Sequence, residues 1–432
     1  MGRLVWPIPL VWGLLLSGLW LVLSGCAASA PPQRVAHAFD QRAHTQRDEH
    51  VRVRVSVLSA EECVAVFGVP LYEVGVQPVW LSIENDDRVP YMLLDVNIDA
   101  QKFSPLEAAY RSHRWLSPAR NRELDRRFLD QEMTRLIPPG AAVSGFVYTN
   151  LDLGAKEVQV LLIGPGREKR LTFLERVPGL PTHYDEVDFK ALARSDRRPA
   201  YDLGSLRPVL EGLPCCTTNA DGSHPGDPVN LVLIGDIDEL LTAFIDRQWD
   251  MTEKLQVRSA WHEVKAFLFG TAYRYAPFSP LYLYGRRQDL ALQKARQTIT
   301  ARNHLRLWRA PMTSDGKPVW LGQISRDIGV RFTLRTWDLV THRIDPHVDG
   351  ARDYLVQDLL FSKRIVRLGY VRGGPPAPLT SPRQNLTGDP YITDGLRAVL
   401  EFSAEPVQLS ALQKLDWAWP ASFTLGDSAP AP

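Results

Sequence analysis

The chain has 432 residues, of which 45% are hydrophobic and 23% charged, with a formal net charge of +1. The apolar fraction is ordinary for a globular protein, and at ~150 residues per domain the length suggests two or three domains. A balance this close to neutral argues against nucleic acid as a partner.

The N-terminus carries an address. Arg3 is followed by an apolar run from Leu4 to Leu23, interrupted by Gly, Pro and Ser17, and then by Leu23-Ser24-Gly25-Cys26. A small residue before cysteine is the pattern of a bacterial lipoprotein signal. Residues 1–25 therefore read as a signal peptide, and Cys26 as the lipidation site that takes a diacylglyceryl group and acyl chains such as palmitate. The competing reading is a transmembrane anchor, because the run approaches the ~20 residues that span a bilayer. The intact Leu-Ser-Gly-Cys favours lipidation, and several acyl chains suffice for stable attachment. The expected partner is thus the membrane, reached through a lipid anchor on Cys26. The expected location is the periplasm-facing cell envelope. Ala27, where an inner-membrane lipoprotein tends to carry Asp, leans towards the outer membrane. Residues 26–50 lack periodicity and read as a tether.

From Val51 the pattern changes. Val51, Val53, Val55 and Val57 alternate with Arg52, Arg54 and Ser56, the period of a half-buried strand. Further strands are expected at Val79–Ile83, Met92–Ile98, Val143–Thr149, Glu157–Ile163 and Arg170–Leu174. Between them, Ser104-Pro105-Leu106-Glu107 and Ser117-Pro118 each have a helix-starting residue before Pro at the first turn. Residues 51–180 thus read as a β-sandwich with a helical-hairpin insert. The hairpin's arginines (Arg120, Arg122, Arg126, Arg127) read as a solvated face, with a membrane or partner contact as the alternative. Residues 181–226, rich in Pro and Gly, read as a linker.

The second domain, 227–372, opens on the apolar run Asn230–Asp236, with Asp236 or Asp238 placed to cap the helix that follows. A second helix is expected at Ser259–Phe269. Strands are expected at Leu281–Tyr284, Leu290–Gln293, Leu305–Trp308, Val319–Ile324 and Gly329–Leu334, then a helix at Val348–Phe361 and a strand at Ile365–Val371. Helices at both ends of a run of strands make the domain α+β rather than doubly wound. Residues 373–432 read as a Pro/Gly-rich tail with one strand, Leu396–Phe402, and disordered final residues. With Cys26 lipidated, Cys63, Cys215 and Cys216 remain. Either Cys63 links to one of the vicinal pair, or all three are buried or unreactive thiols.

Residues 227–371 resemble the LssY C-terminal domain family. The resemblance is carried by Asp227-Pro228-Val229-Asn230-Leu231-Val232 leading to Gly235-Asp236, by Ser279–Tyr282 with Gly285–Asp289, by His304–Trp308 and Pro318–Trp320, and by Thr341–Pro346 with Arg352-Asp353. The family commonly accompanies membrane-embedded phosphatidic-acid-phosphatase-like regions. The resemblance implies an envelope setting near lipid but no particular reaction.

No Gly-x-Ser-x-Gly elbow or Walker A loop is present, and His262-Glu263 lacks the second histidine of a zincin because Ala266 stands in its place. Two constellations remain. His342, Asp345, His347 and Asp349 have the donor types of a divalent-metal site, the one cofactor the chain suggests. The competing reading makes the aspartates helix caps, His342 a core hydrogen-bonder and His347 an exposed residue. The second constellation is the basic run Leu281–Arg309, with seven basic residues and one acid. Guanidinium groups bind phosphate in bidentate fashion, so Arg286, Arg287, Arg306 and Arg343 are candidate ligand-binding residues. By strand alternation Arg306 shares a face with His304 and Trp308, whereas Arg286 and Asp289 read as a structural ion pair at a turn. A solvated basic face is the competing reading of the run. Three functional expectations follow. The first is recognition of an anionic phosphate-bearing ligand such as a phospholipid headgroup. The second is a metal-assisted phosphoester hydrolase using His342 and Asp345 as ligands and His304 or Asp353 as base, with His342 itself a further catalytic candidate. The third is an envelope scaffold.

Overall fold

The computed structural model describes residues 38–177, 187, 199–252, 280–295, 302–332 and 340–420, and the side chains of 330–332 and 340–342 lie outside that description. The signal sequence, Cys26, the Ser259–Phe269 helix and the final residues fall outside the described residues.

The first domain begins earlier than its alternating valines. A short helix α1 (Ala38–Gln41) and strand β1 (His44–Asp48) precede β2 (Val51–Val57). Phe39 is buried against Trp80 and Phe146, with ring centroids 5.5 and 5.7 Å away. β1 pairs antiparallel with β2, His44 opposite Val55. Residues 38–50 are therefore folded rather than part of a tether: one aromatic anchor and an edge ladder suffice, and neither leaves a periodic signal.

Then come α2 (Ala60–Phe67), β3 (Val76–Asn85), β4 (Tyr91–Leu93), α3 (Pro105–Tyr110), α4 (Pro118–Asp130), β5 (Leu136–Ile137), β6 (Ala141–Asn150), β7 (Gly154–Gly164) and β8 (Arg167–Val177). Two four-stranded sheets, ordered β1-β2-β3-β6 and β5-β4-β7-β8, face each other. Val51, Val53, Val55 and Val57 bury into the space between them, against Val158, Val160, Leu162 and Phe173. The outer face of the first sheet is covered by helices: Phe67 and Phe128 pack on Phe146 and Tyr148. Covering on both faces explains why β3 is buried almost throughout. The Ser104-Pro105 start holds, Ser104 accepting the Glu107 N–H at 3.2 Å. The expected strand at Met92–Ile98 ends at Leu93 and becomes a 3₁₀ turn at Asp95–Asn97. α2 was not anticipated, although Ser59 and Glu62 form a reciprocal capping box and Gly68 closes the helix at φ 76°.

Residues 200–228 are not a linker. β9 (Ala200–Tyr201), α5 (Leu203–Glu211), β10 (Cys216–Thr218) and β11 (Pro225–Pro228) belong to the second domain. Leu206 and Leu210 of α5 are fully buried in its core despite Pro208 within the helix. The domain continues with β12 (Leu231–Ile234), α6 (Ile237–Asp246), β13 (Asp250–Met251), β14 (Tyr282–Leu283), β15 (Arg286–Arg287), β16 (Leu290–Ala295), β17 (Arg302–Ser314), β18 (Lys317–Phe332), β19 (Val340–Ile344), α7 (Val348–Phe361) and β20 (Ile365–Arg372). The chain then adds β21 (Arg383–Gln384), β22 (Pro390–Tyr391), β23 (Leu396–Phe402) and β24 (Gln413–Lys414). The main sheet runs β13-β16-β17-β18-β12-β23-β20-β24, with β19 on β18 and β9 on β17. The one strand expected in the tail therefore sits mid-sheet, parallel to β12 (Leu231 opposite Ala398) and antiparallel to β20. The fold class is α+β, as a run of strands between terminal helices implied.

Cys215 and Cys216 are bonded to each other, and Cys63 is a free buried thiol in the first domain. The expected link from Cys63 to the vicinal pair is not made, because Cys63 is walled into a separate core; the buried-thiol alternative holds for Cys63 and fails for Cys215 and Cys216.

The two domains touch. Ala155 and Leu174 of the first join the core around α6, and Glu157 lies 3.8 Å from Arg364. Burial pushes the Glu157 carboxyl up to about 7. Between its unfolded value near 4.5 and about 7, the folded chain holds more protons than the unfolded one, so this group's contribution to stability falls as pH rises through that window. Glu157→Gln is expected to flatten that part of the stability profile between pH 4 and 8. An unchanged profile in urea unfolding would refute the assignment.

Candidate functional site

The site is built by strand register. β16, β17 and β18 pair antiparallel, so that Gln293, His304 and Ser325 form one cross-strand row, and Ala291, Arg306 and Gln323 the next. The period of two puts Arg302, His304, Arg306 and Trp308 on one face of β17 and Leu305 and Leu307 on the other. The leucines enter the main core with Leu290, Leu292 and Ile324. Trp308 packs beside Leu206, Leu210, Val232 and Leu321 in a second core. The remaining positions on that face are polar and buried: Arg302, His304 and Arg306 are 1, 4 and 6% exposed, Gln323 and Asp327 1% each.

These groups are closely connected. Arg302 donates to Gln293 Oε1 at 3.0 Å, and Arg306 to Gln323 Oε1 at 2.7 Å. His304 Nε2 lies 3.2 Å from Asp327 Oδ2, and Arg302 Nε 3.6 Å from the same oxygen. Burial pushes Asp327 up to about 7 against the pull of Arg302 and Arg306. Burial likewise lowers Arg306 to about 10, with Asp227 its main counter-charge. Asp227, on β11, is itself raised by burial and accepts from Asn385 Nδ2 at 3.0 Å. The buried Gln323 Nε2 has no hydrogen-bond partner among the described residues. Two guanidiniums, an imidazole and two reluctant carboxylates on a dry sheet face can hold an anion. Burial works against ionisation of both carboxylates, Asp227 and Asp327.

These strands lie within a recognised segment. Residues 209–396 match the family model described as LssY C-terminus. This segment is an LssY C-terminus domain. No curated protein matches the chain. The LssY C-terminus match begins inside α5 and ends on the first residue of β23. It thus takes in part of the expected linker and part of the expected tail, and it is wider than the expected 227–372 at both ends. Of the stretches that carried the resemblance, Asp227 and His304–Trp308 meet at the polar row. Residues Arg352-Asp353 do not, as their bonds show.

The other candidates are placed elsewhere. Arg286 is held bidentate by Asp289, at 3.0 and 2.6 Å, and donates to the Arg309 carbonyl at 2.7 Å, the turn-locking ion pair that the spacing suggested. It is not placed for a ligand. Arg287 is exposed and donates to the Tyr282 hydroxyl at 3.1 Å. Arg343 is exposed on β19, away from the polar row's face of β17. The expected metal set does not converge among the described residues. Asp345 Oδ1 accepts the His347 N–H at 3.0 Å and shapes the turn into α7. His347 is exposed, and the His342 side chain lies outside the described residues. Asp349 accepts from Thr393 Oγ1 at 2.8 Å and the Asp394 N–H at 2.6 Å. Asp353 accepts Arg352 Nε at 2.9 Å, which leaves it in a structural clasp rather than poised as a base.

The sequence reading missed Arg302, Gln293, Gln323, Ser325 and Asp327 as site members. Part of the signal was available: Gln323-Ile324-Ser325 alternates polar and apolar residues as His304-Leu305-Arg306-Leu307 does. What hid it is that a charged strand face reads by composition as a solvated one.

Proposed function

We propose that this chain is a lipid-anchored envelope protein whose LssY C-terminus domain binds an anionic, phosphate-bearing ligand such as a phospholipid headgroup. The observation that carries the reading is the buried row of Arg302, His304 and Arg306, with the donor-rich amide of Gln323 beside it. Guanidiniums present planar donor pairs that suit phosphate oxygens in particular. The anchor reading is supported by Leu23-Ser24-Gly25-Cys26, with Ala27 favouring the outer membrane. Among the described residues no helix is long and apolar enough to cross a membrane.

The test is titration of the full chain in neutral detergent with dihexanoyl phosphatidylglycerol. Saturable binding is expected, weakened roughly 10–100-fold in Arg306→Gln, the range of one or two charge-assisted hydrogen bonds. Absence of binding, or equal affinity in a folded Arg306→Gln variant, would overturn the reading.

A further inference from the structure

The helical hairpin of the first domain carries a cluster of exposed apolar side chains. Its turn, residues 111–117, presents Trp115 at 95% exposure and Leu116 at 84%, with Tyr110 at 72% at the end of α3. A tryptophan this exposed gains nothing for the fold and marks a contact surface. Arg114 lies in the same turn and is exposed, and the helix that follows, α4, carries exposed Arg122 and Arg126 and half-buried Arg120. None of these four makes an ion pair among the described residues, whereas the nearby acids Glu123 and Asp125 are engaged by Arg127 and His113.

We propose that the 111–117 turn is a second membrane contact, with Trp115 and Leu116 entering the interfacial layer of a bilayer and the arginines meeting anionic headgroups. Trp is the side chain most suited to that depth, where its ring is apolar and its N–H stays wet. Exposed arginines in and after an apolar turn are complementary to an anionic lipid surface and give no such match to a neutral one. Residues 27–37 separate Cys26 from α1, a length that at 3.3–3.6 Å per residue allows at most ~40 Å between them. The inference takes only the anchored setting from the proposed function and is independent of the ligand row on the second domain.

The experiment uses full-length chain reconstituted in vesicles, where the apolar run Leu4–Leu23 or the lipid on Cys26 holds it to the bilayer in either case. Trp115 emission is isolated as wild type minus Trp115→Phe. It is expected to be quenched by brominated acyl chains in phosphatidylglycerol vesicles and to escape quenching in phosphatidylcholine vesicles. Arg114→Glu combined with Arg122→Glu is expected to abolish the quenching, as is Leu116→Asp, and both changes fall on exposed positions. Arg306→Gln should leave it untouched, which separates this surface from the ligand row. Unquenched Trp115, or quenching that is equal in both lipids or survives the charge reversal, would overturn the proposal.

Discussion

Arg352→Ala is expected to destabilise the second domain by ~3–5 kcal/mol, the cost of stripping one partner from a buried ionic network. Arg352 is fully buried on α7. It holds Asp394 bidentate at 2.8 and 3.0 Å, donates to Asp353 at 2.9 Å and to the Leu396 carbonyl at 2.9 Å, and lies 3.4 Å from Asp349. Its guanidinium also stands over the Tyr370 ring. Burial alone would lower its pKa, but the bonds to Asp394 and the charges of Asp349 and Asp353 outweigh that and raise it. Removing it leaves Asp349 buried, and burial already pushes that carboxyl up while Arg352 pulls it down. The clasp ties α7 to the start of β23, the strand at mid-sheet, so its loss should loosen the domain as a whole. Urea unfolding followed by tryptophan emission reports this directly, since Trp249, Trp308 and Trp320 are all fully buried there. A loss below ~1 kcal/mol would show that the network is only a surface feature.

Ligand affinity is expected to fall by about tenfold for each unit by which bound ligand raises the Asp327 pKa, as pH rises through about 7. The sign follows from which protonation state suits an anion. Below about 7 Asp327 is neutral, and its charge does not compete with the ligand for Arg302 and Arg306. Above it the carboxylate, 3.6 Å from Arg302 and 3.2 Å from His304, competes for the same cations. Dihexanoyl phosphatidylglycerol is the right probe, because a phosphodiester keeps one charge from pH 5 to 9. Asp327→Asn should remove that step and hold the tight form at high pH. A step of equal size in Asp327→Asn would place the titrating group elsewhere.

Much of the fold is legible in local pattern. The valines from Val51 to Val57, the run Asn230–Asp236 and the alternation through His304, Arg306 and Trp308 each predict an element that the structure contains. The failures share a cause. α1 and β1 are held by Phe39 and a partner strand, α5 by Leu206 and Leu210 reaching a distant core, and β23 by strands more than 160 residues earlier in the case of β12. Such contacts override the Pro, Gly and polar content that reads as linker or tail. The candidate site was half legible. Period two placed His304 with Arg306, but the depth of that face depends on sheet order. Arg286 and Asp353, attractive by type, turned out to hold a turn and a clasp.

The central claim is that the Arg302–His304–Arg306 row holds a phosphate-bearing ligand. A native mass spectrum of the full chain, purified in mild detergent without chelator, addresses it in one step. The account predicts a phosphate- or phospholipid-sized adduct in the wild type that disappears in Arg306→Gln while the chain stays folded. A bare wild-type chain, a divalent-ion increment alone, or an adduct that persists in Arg306→Gln would contradict it.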